Sequence, residues 1–142
     1  RVLFRSLDSG EYGALILAEA GLKRLGLSDR IAYRFSPEKL VPAAGQGILA
    51  IQTRAGEYAD LLARLNSPDG ALCAKTERQL ASLLGGNCSA PVGCHAQLHG
   101  TDMTLYGFSG IGGVPRYGSV QGNRNDADLL VQQLASKLTI TE

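Results

Sequence analysis

The spacing of hydrophobic and polar positions changes after residue 91. Beyond this point apolar residues alternate with polar residues or glycine, as in strands with one buried face. The alternation predicts three antiparallel strands at 92–98, 103–107 and 116–121, joined by a turn at 99–102 and a glycine-rich loop at 110–115. This part of the chain is therefore expected to form a small antiparallel sheet.

Apolar residues at helical spacing lie on both sides of these predicted strands. Residues 57–66 and 68–84 predict two helices, and the second has Ser67 as N-cap, Pro68 in its first turn and Gly85-Gly86 at its end. Its expected buried face consists of Leu72, Thr76, Leu80 and Leu83. A last helix, capped by Asn125 or Asp126, is expected to bury Leu129, Leu130, Leu134 and Leu138.

The first third of the chain predicts a different architecture. An apolar run at 12–18 leads directly into a helical pattern at 19–27, which is half of a βα unit. Further strands are expected at 31–35 and 47–53. The predicted fold class is α/β plus α+β. The end of a parallel α/β domain precedes a small domain with a three-stranded antiparallel sheet and helices.

Composition and charge narrow the possible functions. The 142 residues are 44% hydrophobic and 19% charged, which is enough for a folded core. The net charge of +1 provides no overall attraction to nucleic acid or an acidic membrane. An odd count of three cysteines argues against a secreted disulfide scaffold. No apolar run suits a bilayer span and no signal peptide is recognisable, so we expect a cytoplasmic protein. Because Arg1 stands where Met would, we also expect a fragment or processed product.

Cys88 has the most distinctive setting of the three cysteines. Gly85 and Gly86 precede it and Pro91 follows it, so it lies in a tight loop where sulfur could attack an electrophilic carbon. A preceding helix C-terminus does not favour a thiolate, and the spacing alone favours a small buried loop residue. Cys73 and Cys94 have helix and strand periodicity and are expected in the core.

Two further clusters carry weaker signals. A metal site could be assembled from Cys88, Cys94, His95 and His99, but it lacks a C-x-x-C pair, and adjacent strand residues point to opposite faces, so no metal is expected. Three cations, Lys23, Arg24 and Arg30, surround the end of the first predicted helix. They suit either a helix C-terminus or a carboxylate site, and spacing leaves both open.

Three segments resemble the porphobilinogen deaminase family. They are GEYGALILAEAGLKRLGL at 10–27, VPAAGQGILAIQTR at 41–54 and KTERQLASLLGGNCSAPVG at 75–93. The predicted strands and helix that follow form a fourth matching stretch. The resemblance covers nearly the whole chain but only the C-terminal part of the family's length. It implies a transferase of tetrapyrrole and haem biosynthesis, which joins four porphobilinogen molecules into hydroxymethylbilane and releases ammonia. The family's dipyrromethane cofactor, which carries the growing pyrrole chain, is bound by a thioether to a loop cysteine.

The resemblance also assigns roles to individual residues. The cofactor cysteine matches Cys88, although Asn87 replaces the family's usual Gly or Asp. Arg24, together with Arg1 or alternatively Arg5, would hold the acetate and propionate arms of the pyrroles. Gln46 would lie near the cofactor cleft.

Family architecture implies three parts in this chain. Residues 1–35 would end domain two, residues 36–55 would return through domain one, and residues 56–142 would form domain three with the cofactor loop. The family's catalytic Asp belongs to the N-terminal half, so no catalytic residue is expected here and the chain alone should be inactive. Its expected partners are porphobilinogen, the pyrrole chain and that N-terminal half. Family members are monomers, whereas unpaired strands could let this chain self-associate. The alternative is a stand-alone, non-catalytic tetrapyrrole-binding or interaction domain.

Overall fold

A computed structural model describes residues 2–87 and 89–139. The chain divides into two compact units, with the boundary between Arg34 and Phe35. The predicted division into 1–35, 36–55 and 56–142 stays a prediction.

The second unit is built on a three-stranded antiparallel sheet. Its strands are β1 (Val92–His99), β2 (Asp102–Ser109) and β3 (Arg116–Asn123), in the order β1-β2-β3. The three predicted strands are thereby confirmed, each extended by one to three residues. Gly107 occupies the middle of β2, and a Cβ there would lie 2.5 Å from Leu138 Cδ1. The absence of a side chain at this position lets the last helix pack directly onto the sheet.

Two helices cover one face of the sheet. They are α4 (Pro68–Leu83) and α5 (Ala127–Leu138), which enclose a core with Leu80, Met103, Leu105, Val131, Leu134 and Leu138. The predicted N-cap of α4 is confirmed, because Ser67 Oγ accepts a 3.2 Å hydrogen bond from the Gly70 N–H. Before α5, Asn123 rather than Asn125 or Asp126 supplies the capping side chain, to a short 3-10 turn at Arg124–Asp126.

The predicted buried faces of these helices are wrong at one residue each. Leu83 and Leu129 are exposed, whereas Leu84 and Val131 are buried. Neighbouring helical residues differ by about 100° in direction, so the buried stripe follows positions 76, 80 and 84 and excludes Leu83. The same rotation favours Val131 over Leu129, because Val131 lies one turn from Ala127 and Ala135.

The predicted end of a parallel α/β domain does not form among the described residues. Residues 2–34 contain α1 (Val2–Asp8) and α2 (Glu19–Arg24), and α3 (Ala59–Leu65) follows in the second unit. Among the described residues, the expected strands at 12–18, 31–35 and 47–53 do not form. A strand is stable only when its backbone groups pair with a neighbour, and those neighbours are lacking. Ile16 and Leu49 are 71% and 89% exposed as a result.

Candidate cofactor site

The loop after α4 begins with two glycines that the backbone requires. Gly85 has φ +73°, a left-handed conformation that favours glycine. The Gly86 N–H donates a 2.7 Å hydrogen bond to Ala81 O, and a Cβ on Gly86 would lie 2.7 Å from that same oxygen. The Gly-Gly pair therefore ends α4 and directs the chain into the loop, as the sequence predicted.

Cys88 itself lies outside the described residues, but its two neighbours are described. The Asn87 side chain accepts a 2.9 Å hydrogen bond from the Ser89 N–H, and the Asn87 carbonyl accepts one of 3.1 Å from the Ala90 N–H. Asn87 thus stabilises the turn through its own side chain. Both Asn87 and Ser89 are exposed.

The other two cysteines are poor nucleophiles. Cys94 is fully buried in β1, and burial, with the nearby Glu77 carboxylate, raises its pKa to about 12. Cys73 packs partly buried against the core, and burial followed by Glu77 raises its pKa as well. Both thiols therefore stay protonated at neutral pH. No group of three metal-ligating side chains is found in residues 2–87 and 89–139.

A buried carboxylate lies at the centre of the second unit. Glu77, on α4, is 2% exposed, and its oxygens accept hydrogen bonds from the Gly45 N–H at 2.6 Å and the Ala96 N–H at 2.9 Å. His95 Nδ1 lies 3.2 Å from Glu77 Oε1. Burial would raise the pKa of Glu77, but His95 and the two backbone N–H groups hold that pKa below its usual value.

Glu77 was not among the residues predicted from the sequence. A charged residue on a helix is normally exposed, and only its place beside Thr76 on the expected buried face could have marked it.

The segment that precedes Gln46 runs along the open edge of β1. The Cys94 N–H donates a 2.8 Å hydrogen bond to Pro42 O, and a Cβ on Gly93 would lie 2.6 Å from Val41 O. With the Gly45–Glu77 bond, these contacts hold residues 41–45 against the sheet and α4. Gln46 follows directly and its side chain is exposed.

The predicted carboxylate-binding residues belong to the first unit. Lys23 pairs with Glu19 at 2.8 Å, and Arg30 pairs with Asp8. Within residues 2–87 and 89–139, the exposed Arg24 has no ion pair. Of the three clustered cations, Arg24 is therefore the one left available to an anion.

The remaining predicted residues are less informative. Arg5 is exposed on α1 and is likewise unpaired within the described part of the chain, whereas Arg1 lies outside it. Gln46 and the loop that contains Cys88 belong to the second unit. Arg5 and Arg24 belong to the first unit.

Two family models match the chain in succession. Residues 3–61 match "Porphobilinogen deaminase, dipyromethane cofactor binding domain", and residues 71–139 match "Porphobilinogen deaminase, C-terminal domain". This chain belongs to the porphobilinogen deaminase family. The predicted family is thereby confirmed, and so is the cofactor class that the first description names. Which residue carries the cofactor stays a prediction.

Bacterial relatives agree with this assignment. Porphobilinogen deaminases of Methylobacillus flagellatus and Chromobacterium violaceum are each 45% identical to the chain, and that of Thiobacillus denitrificans is 42% identical. Each alignment covers 94% of the chain but only 44–45% of the relative. The chain therefore spans less than half the length of these relatives. No helix of the described residues is long and apolar enough to cross a membrane.

Proposed function

We propose that this chain is the C-terminal part of a porphobilinogen deaminase, the enzyme that joins four porphobilinogen molecules into hydroxymethylbilane with release of ammonia. The succession of the two family matches, over residues 3–61 and 71–139, carries the proposal. The chain's own contribution is to hold the cofactor and bind the growing chain. The catalytic Asp belongs to the N-terminal half that it lacks.

Cys88 is the proposed attachment point of the dipyrromethane. The exposed residues beside it and the required glycines before it suit a loop that accepts a bulky pyrrole. The protonated, buried Cys94 and the partly buried Cys73 are poorly suited to the same role. When bound, the dipyrromethane anchors the pyrrole chain, and a thioether to sulfur keeps that anchor stable without a low thiol pKa.

Arg24 and Gln46 are the proposed binding residues beside it. The unpaired guanidinium of Arg24 suits the acetate or propionate arm of a pyrrole, because a planar fork of N–H groups matches a carboxylate. Gln46 offers an exposed amide at the end of a segment that Glu77 holds in place. Arg1, or alternatively Arg5, is proposed as a second carboxylate ligand.

The chain is proposed to act only with the N-terminal half of the enzyme. Large apolar side chains in its predicted strands are exposed, among them Ile16, Leu49 and Ile51. Such residues are normally buried in a sheet, and the missing half of the family's length would supply that sheet. A monomeric, cytoplasmic complete enzyme stays a prediction.

Complementation tests the proposal. The chain and the N-terminal half of the Chromobacterium violaceum relative are purified separately, mixed, and assayed for conversion of porphobilinogen to hydroxymethylbilane. We expect no turnover from either part alone and turnover from the mixture. Cys88→Ser should abolish the turnover of the mixture, whereas Cys73→Ser should leave it unchanged. Turnover by the chain alone would contradict its dependence on the other half. If the chain binds a linear tetrapyrrole but never supports turnover, it is a stand-alone binding domain.

A further inference from the structure

A partly buried arginine lies at one end of the sheet. Arg116 begins β3, and its side chain is partly buried on the face that the helices cover. Within residues 2–87 and 89–139, Arg116 Nη1 is buried and has no hydrogen-bond partner. Among the described residues, no carboxylate pairs with Arg116 either. A buried cationic donor is normally satisfied, and none of the described residues satisfies this one.

Arg116 opens into a small cleft. The cleft has a volume of about 150 Å³ and lies where α4 and α5 end, with the residues after β2 on its other side. Four apolar side chains line it: Leu83, Leu84, Ile111 and Leu138. Its remaining lining residues are Ser109, which pairs with Arg116 across the sheet, and Thr139. The site thus combines one cation, the Ser109 hydroxyl and four apolar side chains, while the Thr139 hydroxyl donates a 2.8 Å hydrogen bond to Ala135 O.

This combination defines the chemistry of the ligand. Arg presents two parallel N–H donors that match the two oxygens of a carboxylate. The leucine and isoleucine side chains favour a few methylene groups next to that carboxylate. A cleft of this volume holds several water-sized groups. A short aliphatic carboxylate has this size.

We propose that the Arg116 cleft is a binding site for a short aliphatic carboxylate, free or as the end of a side arm on a larger molecule. The two guanidinium N–H groups would hold the carboxylate, and the apolar wall would contact its methylene groups. Arg24 is not among the described residues that line this cleft.

An NMR titration of the whole chain tests the proposal. Sodium propionate is added at constant pH and ionic strength, and the amide signals of Ser109, Arg116 and Thr139 are followed. We expect saturable shifts with a dissociation constant on the order of millimolar. Propionamide has the same shape without the charge, and it should produce no such shifts. Arg116→Gln should weaken binding by about tenfold or more, because a charge-assisted pair is lost.

Controls separate the site from general attraction to anions. Arg78→Gln removes an exposed guanidinium elsewhere on α4 and should leave propionate binding unchanged. Arg116→Lys keeps the charge and should bind with intermediate affinity; it replaces Arg116→Gln if that variant does not fold. Equal shifts with propionamide, equal binding of inorganic phosphate, or equal losses in the Arg78 and Arg116 variants would overturn the proposal.

Two further probes distinguish the ligand's source. A dicarboxylic pyrrole such as porphobilinogen that shifts the same amides at lower concentration than propionate identifies a side arm of a larger molecule. Tighter binding of propionate than of porphobilinogen identifies a free acid. Both results support a carboxylate site. If neither propionate nor porphobilinogen binds, the proposal is wrong.

Discussion

The Gly45 N–H donates a 2.6 Å hydrogen bond to Glu77 Oε2, across 32 residues of sequence. The other oxygen of the same carboxylate accepts the Ala96 N–H at 2.9 Å, so one side chain joins the segment before Gln46, helix α4 and strand β1. Because these donors are backbone groups, any replacement side chain must supply acceptors in the same positions. Glu77 is therefore a structural residue that fixes the position of the backbone directly before Gln46.

Replacing Glu77 should destabilise the second unit. Glu77→Gln keeps the shape but replaces one acceptor oxygen with a donor, which leaves a buried N–H unpaired. We expect the free energy of unfolding to fall by roughly 2–3 kcal/mol. Urea unfolding followed by circular dichroism measures the change. Glu57→Gln, at an exposed position, is the matched control, and an equal loss there would contradict the role of Glu77.

Glu77 should also make stability depend on acid pH. Its pKa in the folded chain is lowered from 4.5, so at pH values near and below 4.5 the unfolded chain binds more protons than the folded chain. The stabilisation from Glu77 is therefore present above about pH 4.5 and is lost as pH falls through the folded pKa. The urea midpoints of the unchanged chain and Glu77→Gln should converge in acid. A constant difference down to about pH 3 would show that the charge of Glu77 contributes nothing.

A methyl group at Gly107 should disrupt the contact between the sheet and α5. The added Cβ would lie 2.5 Å from Leu138 Cδ1 and 3.1 Å from Leu134 Cδ2, so both leucines must move. We expect Gly107→Ala to cost roughly 1–3 kcal/mol, measured by thermal unfolding. Gly21→Ala has no heavy atom within 4 Å of the added group and serves as control. A Gly107 variant that unfolds at the same temperature as this control would refute the close packing.

Arg24 and its neighbour Lys23 should differ in their effect on turnover. In the chain combined with its N-terminal half, Arg24→Gln should raise the KM for porphobilinogen by about tenfold, because a carboxylate arm loses its guanidinium. Lys23→Gln should change KM little, since Lys23 already pairs with Glu19. Steady-state kinetics of both variants make the comparison. The proposed role of Arg24 fails if the two variants have the same KM.

Mass spectrometry should locate the cofactor. In tryptic peptides of the combined enzyme, a dipyrromethane adduct is expected on Cys88. Cys94 should also resist alkylation in the folded protein, because burial raises its pKa to about 12. An adduct on Cys73 or Cys94, with Cys88 unmodified, would identify a different attachment point.

The sequence predicted the sheet well because its signal is local. Alternation along β1, β2 and β3 reports a buried face, and the turns between them are marked by glycine. The apolar run at 12–18 has an equally clear pattern but forms no strand. Periodicity shows that a segment can pair but does not show whether a neighbour exists, and the neighbours of this segment are not in the chain.

The site was predictable only in part for a similar reason. The loop before Cys88 was predicted because two successive glycines, one of them with a left-handed backbone conformation, are typical of a helix end and a tight turn. Glu77 depends on contacts with Gly45 and Ala96, which are distant in sequence, and no local pattern encodes them. Arg116 was placed correctly at the start of a strand, but the sequence does not show that its Nη1 is buried without a hydrogen-bond partner among the described residues.

The segment along β1 has a consequence for how this protein can be shortened. Pro42 O and Glu77 accept the outward N–H groups of Cys94 and Ala96, so the middle of this strand edge is already occupied. A truncation that starts at α3 would remove Pro42 and uncover part of the edge. Uncovered edges recruit strands from other molecules, so such a truncation should aggregate during expression. One that starts at Phe35 keeps the protective segment and should stay dispersed.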